Sequence, residues 1–279
     1  MTMPRLSIVI VTYNSTGHIG DCVRSLVENR PAVDHEIVVV DNASTDGTGA
    51  AIRSRWDGVR VIDAGANLGF ARANNLGIRQ TLGELILLLN PDTAVPPGAI
   101  DALVGALDSR PDVAIVGPRV VNADGRAELS FGRMLSPFAE IRQKLLVGGS
   151  RRGGPLAMYV ESTTRRQREV DWVSGACLLV RRTDAESVGL LDERFFMYTE
   201  DVDFCAAVRA RGRRVLFYPR AEIVHARGQS RATASGAAER AYRRSQVAFY
   251  EKHHPGWTPW LRWYLKIKGD WPDNRSSDD

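Results

Sequence analysis

Two groups of carboxylates and one histidine carry the chemistry that this sequence can do. Asn90-Pro91-Asp92-Thr93 follows the apolar run from Glu84 to Leu89. A hard cation could bridge Asp92 to a diphosphate there, since one protein carboxylate plus substrate phosphates is an ordinary magnesium site. The same four residues also read as a plain β-turn, and Asn90 supplies no second charge. Further on, Phe195-Phe-Met-Tyr-Thr-Glu200-Asp201-Val-Asp203 opens a helical stretch with Glu200, Asp201 and Asp203, whose mutual repulsion a helix N-terminus partly relieves. One of them can serve simply as an N-cap. An acidic cluster beside an aromatic wall also suits a general base taking a proton from a hydroxyl. His225 is weak evidence alone and gains meaning beside a carboxylate-bound cation, as a further ligand.

Three more polar clusters follow apolar runs: Thr12-Tyr13-Asn14, Asp41-Asn42-Ala-Ser-Thr-Asp46 and Asn67-Leu-Gly69. Asp41 is a candidate acceptor for a nucleotide's base or ribose, with Thr12, Tyr13 and Asn14 beside it, whereas Asp46 suits a helix cap. Any one cluster is explained by the turn and capping habits of Asn, Asp, Ser and Gly. Their convergence is what argues for a site, and it depends on the elements that would bring them together. Leu6 to Val11, Glu36 to Val40, Val59 to Ile62 and Glu84 to Leu89 read as strands apolar on both faces. Helical periods separate them: Ile19, Cys22, Val23, Leu26 and Val27, then a helix begun at Ser44, then Phe70 to Leu82. Ile100, Leu103, Val104 and Leu107 mark another helix, and Val113 to Gly117 another strand. This alternation predicts an α/β fold with a mostly parallel central sheet flanked by helices. Ligands of such a sheet lie beyond the carboxyl ends of its strands, where all four clusters fall.

The motifs that are missing narrow the chemistry. Thr12-Tyr-Asn-Ser-Thr-Gly17 stands where a dinucleotide oxidoreductase needs G-x-G-x-x-G, and no G-x-x-x-x-G-K-[ST] occurs anywhere. Phosphates would therefore be neutralised by carboxylates with a divalent cation, Mg2+ or Mn2+. At 279 residues with 44% apolar content the chain can bury a substantial core unaided. Cys22, Cys177 and Cys205 form no C-x-x-C pair, so a zinc ribbon and a disulfide scaffold are not expected and a reducing compartment is. The apolar stretch after the N-terminus is too short for a signal-peptide core, and no run is long enough to span a membrane.

After Pro118 the period breaks down. Residues 142 to 170 carry Arg142, Lys144, Arg151, Arg152, Arg165, Arg166 and Arg168 with glycine pairs between them, which predicts a mobile basic loop. Sparse aromatics there and a net charge of only +4 argue against a nucleic-acid partner. Order resumes from Val170 to Val180, with a helix from Glu200 to Arg211, a strand from Arg214 to Tyr218 and a helix from Ala237 to His253. In the tail from 253 to 271, Trp260, Trp263, Tyr264 and Ile267 share one helical face. That face is either a peripheral membrane contact or packing against the rest of the chain.

Taken together these stretches resemble the family 2 inverting glycosyltransferases with the GT-A fold, nearest the bacterial rhamnosyltransferase branch. The matching segments are Ser7 to Asn14, Val40 to Gly47, Asn67 to Asn75, Leu88 to Thr93, Trp172 to Arg181, Phe195 to Asp203, and His225, in the family's order. The resemblance implies that Thr12, Tyr13, Asn14, Asp41, Asn67, Asn74, Asn90 and Asp92 bind a nucleotide-diphosphate sugar. Asn90-Pro-Asp92 stands as the D-x-D motif, with Asp92 and His225 as metal ligands and Asp201 as catalytic base. Trp172, Ser174, Gly175, Glu200 and Asp203 would lie on the acceptor side. It divides the chain into a nucleotide-sugar half (1–118), an acceptor and catalytic half (119–230) and a helical tail (231–279). The implied donor is dTDP-L-rhamnose, with a UDP-sugar as the alternative, and the acceptor is a saccharide or polyprenyl-diphosphate-linked saccharide of cell-wall or surface polysaccharide synthesis. The implied location is the cytoplasm, peripheral on the inner face of the plasma membrane. A catalytically silent sugar-nucleotide binder is the rival reading, disfavoured by the presence of Asp92, Asp201 and His225 together.

Overall fold

Runs of Val, Ile and Leu without polar interruption can satisfy their backbone groups and stay dry only inside a sheet covered on both faces. The computed structural model, which describes residues 3–150, 154–226 and 235–271, has this arrangement. Leu6–Thr12 (β1), His35–Asp41 (β2), Val59–Asp63 (β3) and Leu85–Leu89 (β4) pair in parallel. Thr93–Ala94 (β5), Val113–Val121 (β6), Ala127–Glu128 (β7), Arg168–Val170 (β9), Cys177–Arg181 (β11) and Arg214–His225 (β12) extend the same sheet. Its order is β3-β2-β1-β4-β11-β6-β12-β5, with β7 beside β6 and β9 beside β12. Phe131–Gly132 (β8) and Trp172–Val173 (β10) form a separate pair.

Side chains alternate across the sheet, and each face has its own core. Leu6, Ile8, Ile10, Leu85, Leu87 and Leu89 meet the apolar sides of Ile19–Glu28 (α1), Thr48–Arg55 (α2) and Ala99–Asp108 (α4). Val9, Val11, Ile86 and Leu88 meet Phe70–Arg79 (α3), Arg182–Ser187 (α7), Glu200–Ala210 (α8) and Ser235–His253 (α9). Each such buried side chain contributes about 2 kcal/mol relative to exposure. Gly77 lets α3 lie close on β1 and β2, since a Cβ there would sit 2.5 Å from Val9 Cγ1. All three cysteines are buried within these layers and unbridged.

Several boundaries differ from the sequence expectation. The helix expected from Ser44 begins at Thr48, because Asp46 Oδ1 accepts from Thr48 N at 3.0 Å and Gly47 turns the chain at φ +82°. That capping geometry also holds Asp46 down at about 2, the hydrogen bonds from Thr16 and Thr48 outweighing its desolvation. The last strand continues past Tyr218 to His225, a register shift accommodating Pro219. The stretch expected as a basic loop holds Pro137–Ser150 (α5), Pro155–Thr163 (α6) and β9; Arg151 and Arg152 lie outside the described residues. Proline at the start of each helix favours it. A few anchors fix them: Glu140 accepts from Gln246 Nε2 at 2.6 Å and Tyr250 Oη at 2.8 Å, and Arg119 grips Glu161 through paired bonds of 2.8 and 2.9 Å. Charge density on the outer faces concealed these contacts.

Two junctions fix α8 against the rest. At its front, Gly69 (φ +78°, ψ 177°) delivers Phe70 N to Phe196 O at 2.6 Å. At its back, Asp203, fully enclosed, accepts from Lys252 Nζ at 2.9 Å and pairs with His253 Nε2 at 2.6 Å, both in the last turn of α9. Gly69→Ala puts a side chain into a backbone region that only glycine tolerates, against the Phe196 carbonyl. It should lower stability by about 1–3 kcal/mol, read as a shift in the urea unfolding midpoint. Asp203→Asn removes the carboxylate that faces Lys252 and His253, and because Lys252 keeps its bond to Asp192 it should cost about 1–3 kcal/mol, less than a fully broken buried pair. Titration of the folded variant with a sugar nucleotide should show unchanged affinity.

Candidate active site

The carboxyl ends of β1, β2 and β4 hold three of the polar clusters in register. Thr12 and Asp41, the last residues of β1 and β2, are partners across the ladder. Asp41 is buried, and its Oδ1 accepts from Ser44 N at 3.0 Å. Its Oδ2 points at Gly49, where a Cβ would lie only 2.3 Å away, so the glycine keeps this oxygen clear. Asn14, at φ +48°, laces the two loops together. Its N donates to Ser44 Oγ at 2.9 Å and its Oδ1 accepts from Thr45 N at 2.8 Å. Tyr13 is exposed beside them, and Thr12 Oγ1 is buried without a hydrogen-bond partner.

Asn42 was not singled out from the sequence, yet it organises the third cluster. Its Nδ2 donates to Asn67 Oδ1 at 2.9 Å and its Oδ1 accepts from Leu68 N at 2.8 Å. Asn74 lies inside, its Nδ2 donating to Phe70 O at 2.9 Å and its Oδ1 buried without a partner. Direct neighbourhood to Asp41 was the only signal for Asn42.

Asn90 N donates to Ala176 O and Asn90 O accepts from Thr93 Oγ1 at 2.7 Å, which closes the turn that presents Asp92. β12 pairs with β5 so that His225 faces Thr93, and Ala226 N donates to Asp92 O at 2.8 Å. The two side chains, far apart in sequence, thereby meet: His225 Nε2 lies 3.0 Å from Asp92 Oδ1. Burial would raise the Asp92 pKa, but the hydrogen bond and charge of His225 hold it below the ordinary carboxylate value. Glu128, also missed from the sequence, has a carboxylate oxygen 3.6 Å from His225 Nδ1, at the ring nitrogen away from Asp92. Among the described residues no group of three or more His, Cys, Asp and Glu gathers as a closed metal cage. An anionic carboxylate touching an imidazole is nonetheless a donor set that fits a divalent cation whose remaining ligands are phosphate oxygens and water.

The second acidic cluster is built on strained backbone. Tyr198 and Thr199 are left-handed at φ +70° and +65°, a cost of about 1–2 kcal/mol each for residues with a Cβ. Ser245 Oγ of α9, donating to Met197 O at 2.7 Å, helps hold the loop. The turn then separates three adjacent acids into three environments. Asp201 Oδ2 accepts from Gly175 N at 2.8 Å, and Oδ1 from Val202 N at 2.8 Å. Glu200 is buried, and desolvation first, then the Asp201 charge, push its pKa well above the ordinary carboxylate value. Asp203, expected on the acceptor side, instead faces α9 in the clamp described above. Two residues, just over half a helical turn, carry it to the opposite side from Asp201. Trp172 is likewise turned inward, its Nε1 donating to Arg133 O at 2.8 Å and its ring against Gly132. It supports the Ser174-Gly175-Ala176 turn from below, and that turn is what meets Asp201 and Asn90.

Glu200 gives the site a pH signature. Its pKa in the folded chain lies above the ordinary 4.5 of an unfolded chain. Below 4.5 both states are protonated and nothing is lost; as pH rises, the unfolded state alone releases its proton and folding is penalised. Glu200→Gln should therefore gain thermal stability over the parent progressively as pH rises above 4.5, as followed by melting curves in a buffer series; a constant offset would contradict a raised Glu200 pKa.

Known proteins share this chain's sequence pattern and fold. Residues 7–171 match the glycosyl transferase family 2 sequence model. An N-acetylglucosaminyl-diphospho-decaprenol L-rhamnosyltransferase of Mycobacterium tuberculosis is 33% identical, over 94% of this chain and 89% of its own length. A rhamnosyltransferase of Escherichia coli, WbbL, is 25% identical over 78% of this chain and 82% of its own. A mannosyltransferase of Pyrobaculum calidifontis, solved with GDP-Man and Mn2+, superposes with a TM-score of 0.61 at 20% identity, covering 94% of this chain and 69% of that one. The fold is that of the GT-A glycosyltransferases. A family match across more than half of the chain, joined to a relative that shares a third of its positions almost end to end, makes this chain a member of glycosyltransferase family 2.

Proposed function

We propose that the chain is an inverting transferase that moves L-rhamnose from dTDP-rhamnose to a hydroxyl of a polyprenyl-diphosphate-linked saccharide in cell-wall or surface polysaccharide synthesis. One observation carries the reading. A single backbone path joins the two acidic sites: Asp92 closes the turn at Asn90, Asn90 N is bonded to Ala176 O, and the adjoining Gly175 N is bonded to Asp201. A leaving diphosphate at Asp92 and a deprotonating carboxylate at Asp201 are thus held on one frame, as an in-line displacement requires. The mycobacterial relative's name, with its rhamnosyl donor and decaprenyl-diphosphate acceptor, supports the choice of substrates. On this reading residues 1–118 serve the nucleotide sugar, with Thr12, Tyr13, Asn14, Asp41 and Asn67 around its nucleoside, and residues 119–230 serve the acceptor.

In the reaction Asp201 accepts the proton of the acceptor hydroxyl. The freed oxygen lone pair forms a bond to the anomeric carbon from the face opposite the diphosphate. The bond from that carbon to the diphosphate oxygen breaks with its electron pair, and configuration inverts. Asp92 and His225 are the residues that would hold a divalent cation, which when bound would supply positive charge to stabilise the departing diphosphate.

Asp201→Asn should lower kcat by about 100- to 10,000-fold, the worth of general-base catalysis, with donor affinity unchanged by calorimetry. Near-normal turnover would remove the base assignment. Asp92→Ala should abolish the magnesium dependence of donor binding. Titration of the parent with dTDP-rhamnose, UDP-glucose and UDP-galactose, each with and without magnesium, should show selective, metal-strengthened binding of the first; equal affinity for all three would refute the donor assignment.

A further inference from the structure

The short helix Thr258–Lys268 (α10) is amphipathic in the wrong sense for a helix that simply packs on its own protein. Thr258 and Leu265 are buried and Leu261 packs on the core. The opposite face carries larger apolar surface than the inward one: Trp260 is 65% exposed, Trp263 59% and Ile267 66%, with Tyr264 also exposed. The patch does not end with the helix. Trp257, in the 3-10 turn Pro255–Trp257, is exposed and stands edge-on to Phe138 at the start of α5, with ring centroids 6.4 Å apart; Phe138 is itself 75% exposed. Two elements more than a hundred residues apart thus present one continuous aromatic surface. An exposed apolar patch of this kind marks an interaction site.

Charge selects the occupant. α10 contributes Arg262, Lys266 and Lys268 and no acidic residue. Lys266 also edges a groove of about 460 Å3 lined by Pro255, Pro259 and Trp263. Arg262 is paired with Glu251, which leaves Lys266 and Lys268 as the cations beside the aromatic face, and a second copy docked through it would set these against their own kind. A bilayer with anionic headgroups is complementary to them, and Trp and Tyr flanked by Lys and Arg are the residues that settle at the headgroup boundary. No helix among the described residues is long and apolar enough to cross a membrane, so contact through this face lies in the plane of the surface. We infer that the Phe138–Trp257–Trp260–Trp263–Ile267 face is a docking plate for an anionic lipid surface.

The plate is rigidly connected to the catalytic helix. α10 follows α9 through one 3-10 turn, and the last turn of α9 holds Asp203, two residues beyond Asp201. Seating α10 on a bilayer therefore fixes how Asp201 faces that bilayer. This last step rests on the proposed lipid-linked acceptor; the docking itself does not.

The test is flotation of the full chain with vesicles of phosphatidylcholine alone and with phosphatidylglycerol added, without sugar nucleotide or acceptor, so that this inference and the substrate assignment can fail separately. The parent should float with the anionic vesicles and lose binding in high salt. Trp260→Ser combined with Trp263→Ser should weaken binding at least tenfold, and Lys266→Glu with Lys268→Glu should remove the preference for anionic lipid, each variant melting as the parent does. Failure to float with either vesicle, or flotation unchanged by both pairs of substitutions, overturns the inference. So does sedimentation of the lipid-free parent as a dimer that the tryptophan variant dissolves, which would give the face to a second copy.

Discussion

The geometry of the site depends on one strand running against its neighbours. β11 is inserted antiparallel between β4 and β6, so its N-terminal end lies beside the C-terminal end of β4. Had it run parallel, the Ser174-Gly175-Ala176 turn would stand at the far edge of the sheet, some 15–20 Å away for a strand of this length. The reversal places Cys177 opposite Leu89 and lets the turn bond to Asn90 on one side and Asp201 on the other. The parallel strands and the acidic helix come from different parts of the chain. A backbone hydrogen bond from Asn90 to the turn and one from the turn's Gly175 N to the Asp201 carboxylate join them.

Around that frame the chain keeps its acids apart by environment and not by distance in sequence. Glu200, Asp201 and Asp203 fall within a single helical turn, yet one is desolvated with its pKa pushed well up, one meets a backbone amide at the site and one is bonded to Lys252 and His253. Three carboxylates left in one environment would repel and share protons. The strain at Tyr198 and Thr199 is part of the arrangement, since it aims the first turn of α8 so that adjacent residues diverge.

Much of this was legible from residue order. The strands, the clusters at their ends, Asp92, His225 and Asp201 all followed from periodicity, position and family resemblance, because buried parallel strands and their polar ends leave strong local patterns. What escaped was decided by partners distant in sequence. Asp203 looked like an equal member of an acidic group, and only the return of α9 shows what it serves. Glu128 comes near His225 from a two-residue strand with no pattern of its own. The segment from 142 to 170 looked like a loop because its basic residues dominate, whereas the helices that run through it are held by a few interior contacts such as Glu140 with Gln246 and Tyr250. The tail aromatics could be read either way until burial of Thr258 and Leu265 fixed which face turns inward.

The burial of all three thiols has a practical consequence. Desolvation pushes Cys22 up to about 12 and raises Cys177 and Cys205 as well, so none is a thiolate at neutral pH. The parent chain is in effect thiol-silent towards alkylating and maleimide reagents. A single cysteine placed on the surface would be the one reactive sulfur, and fluorophore or spin-label pairs could be set across the two halves of the sheet without first stripping native cysteines from the core.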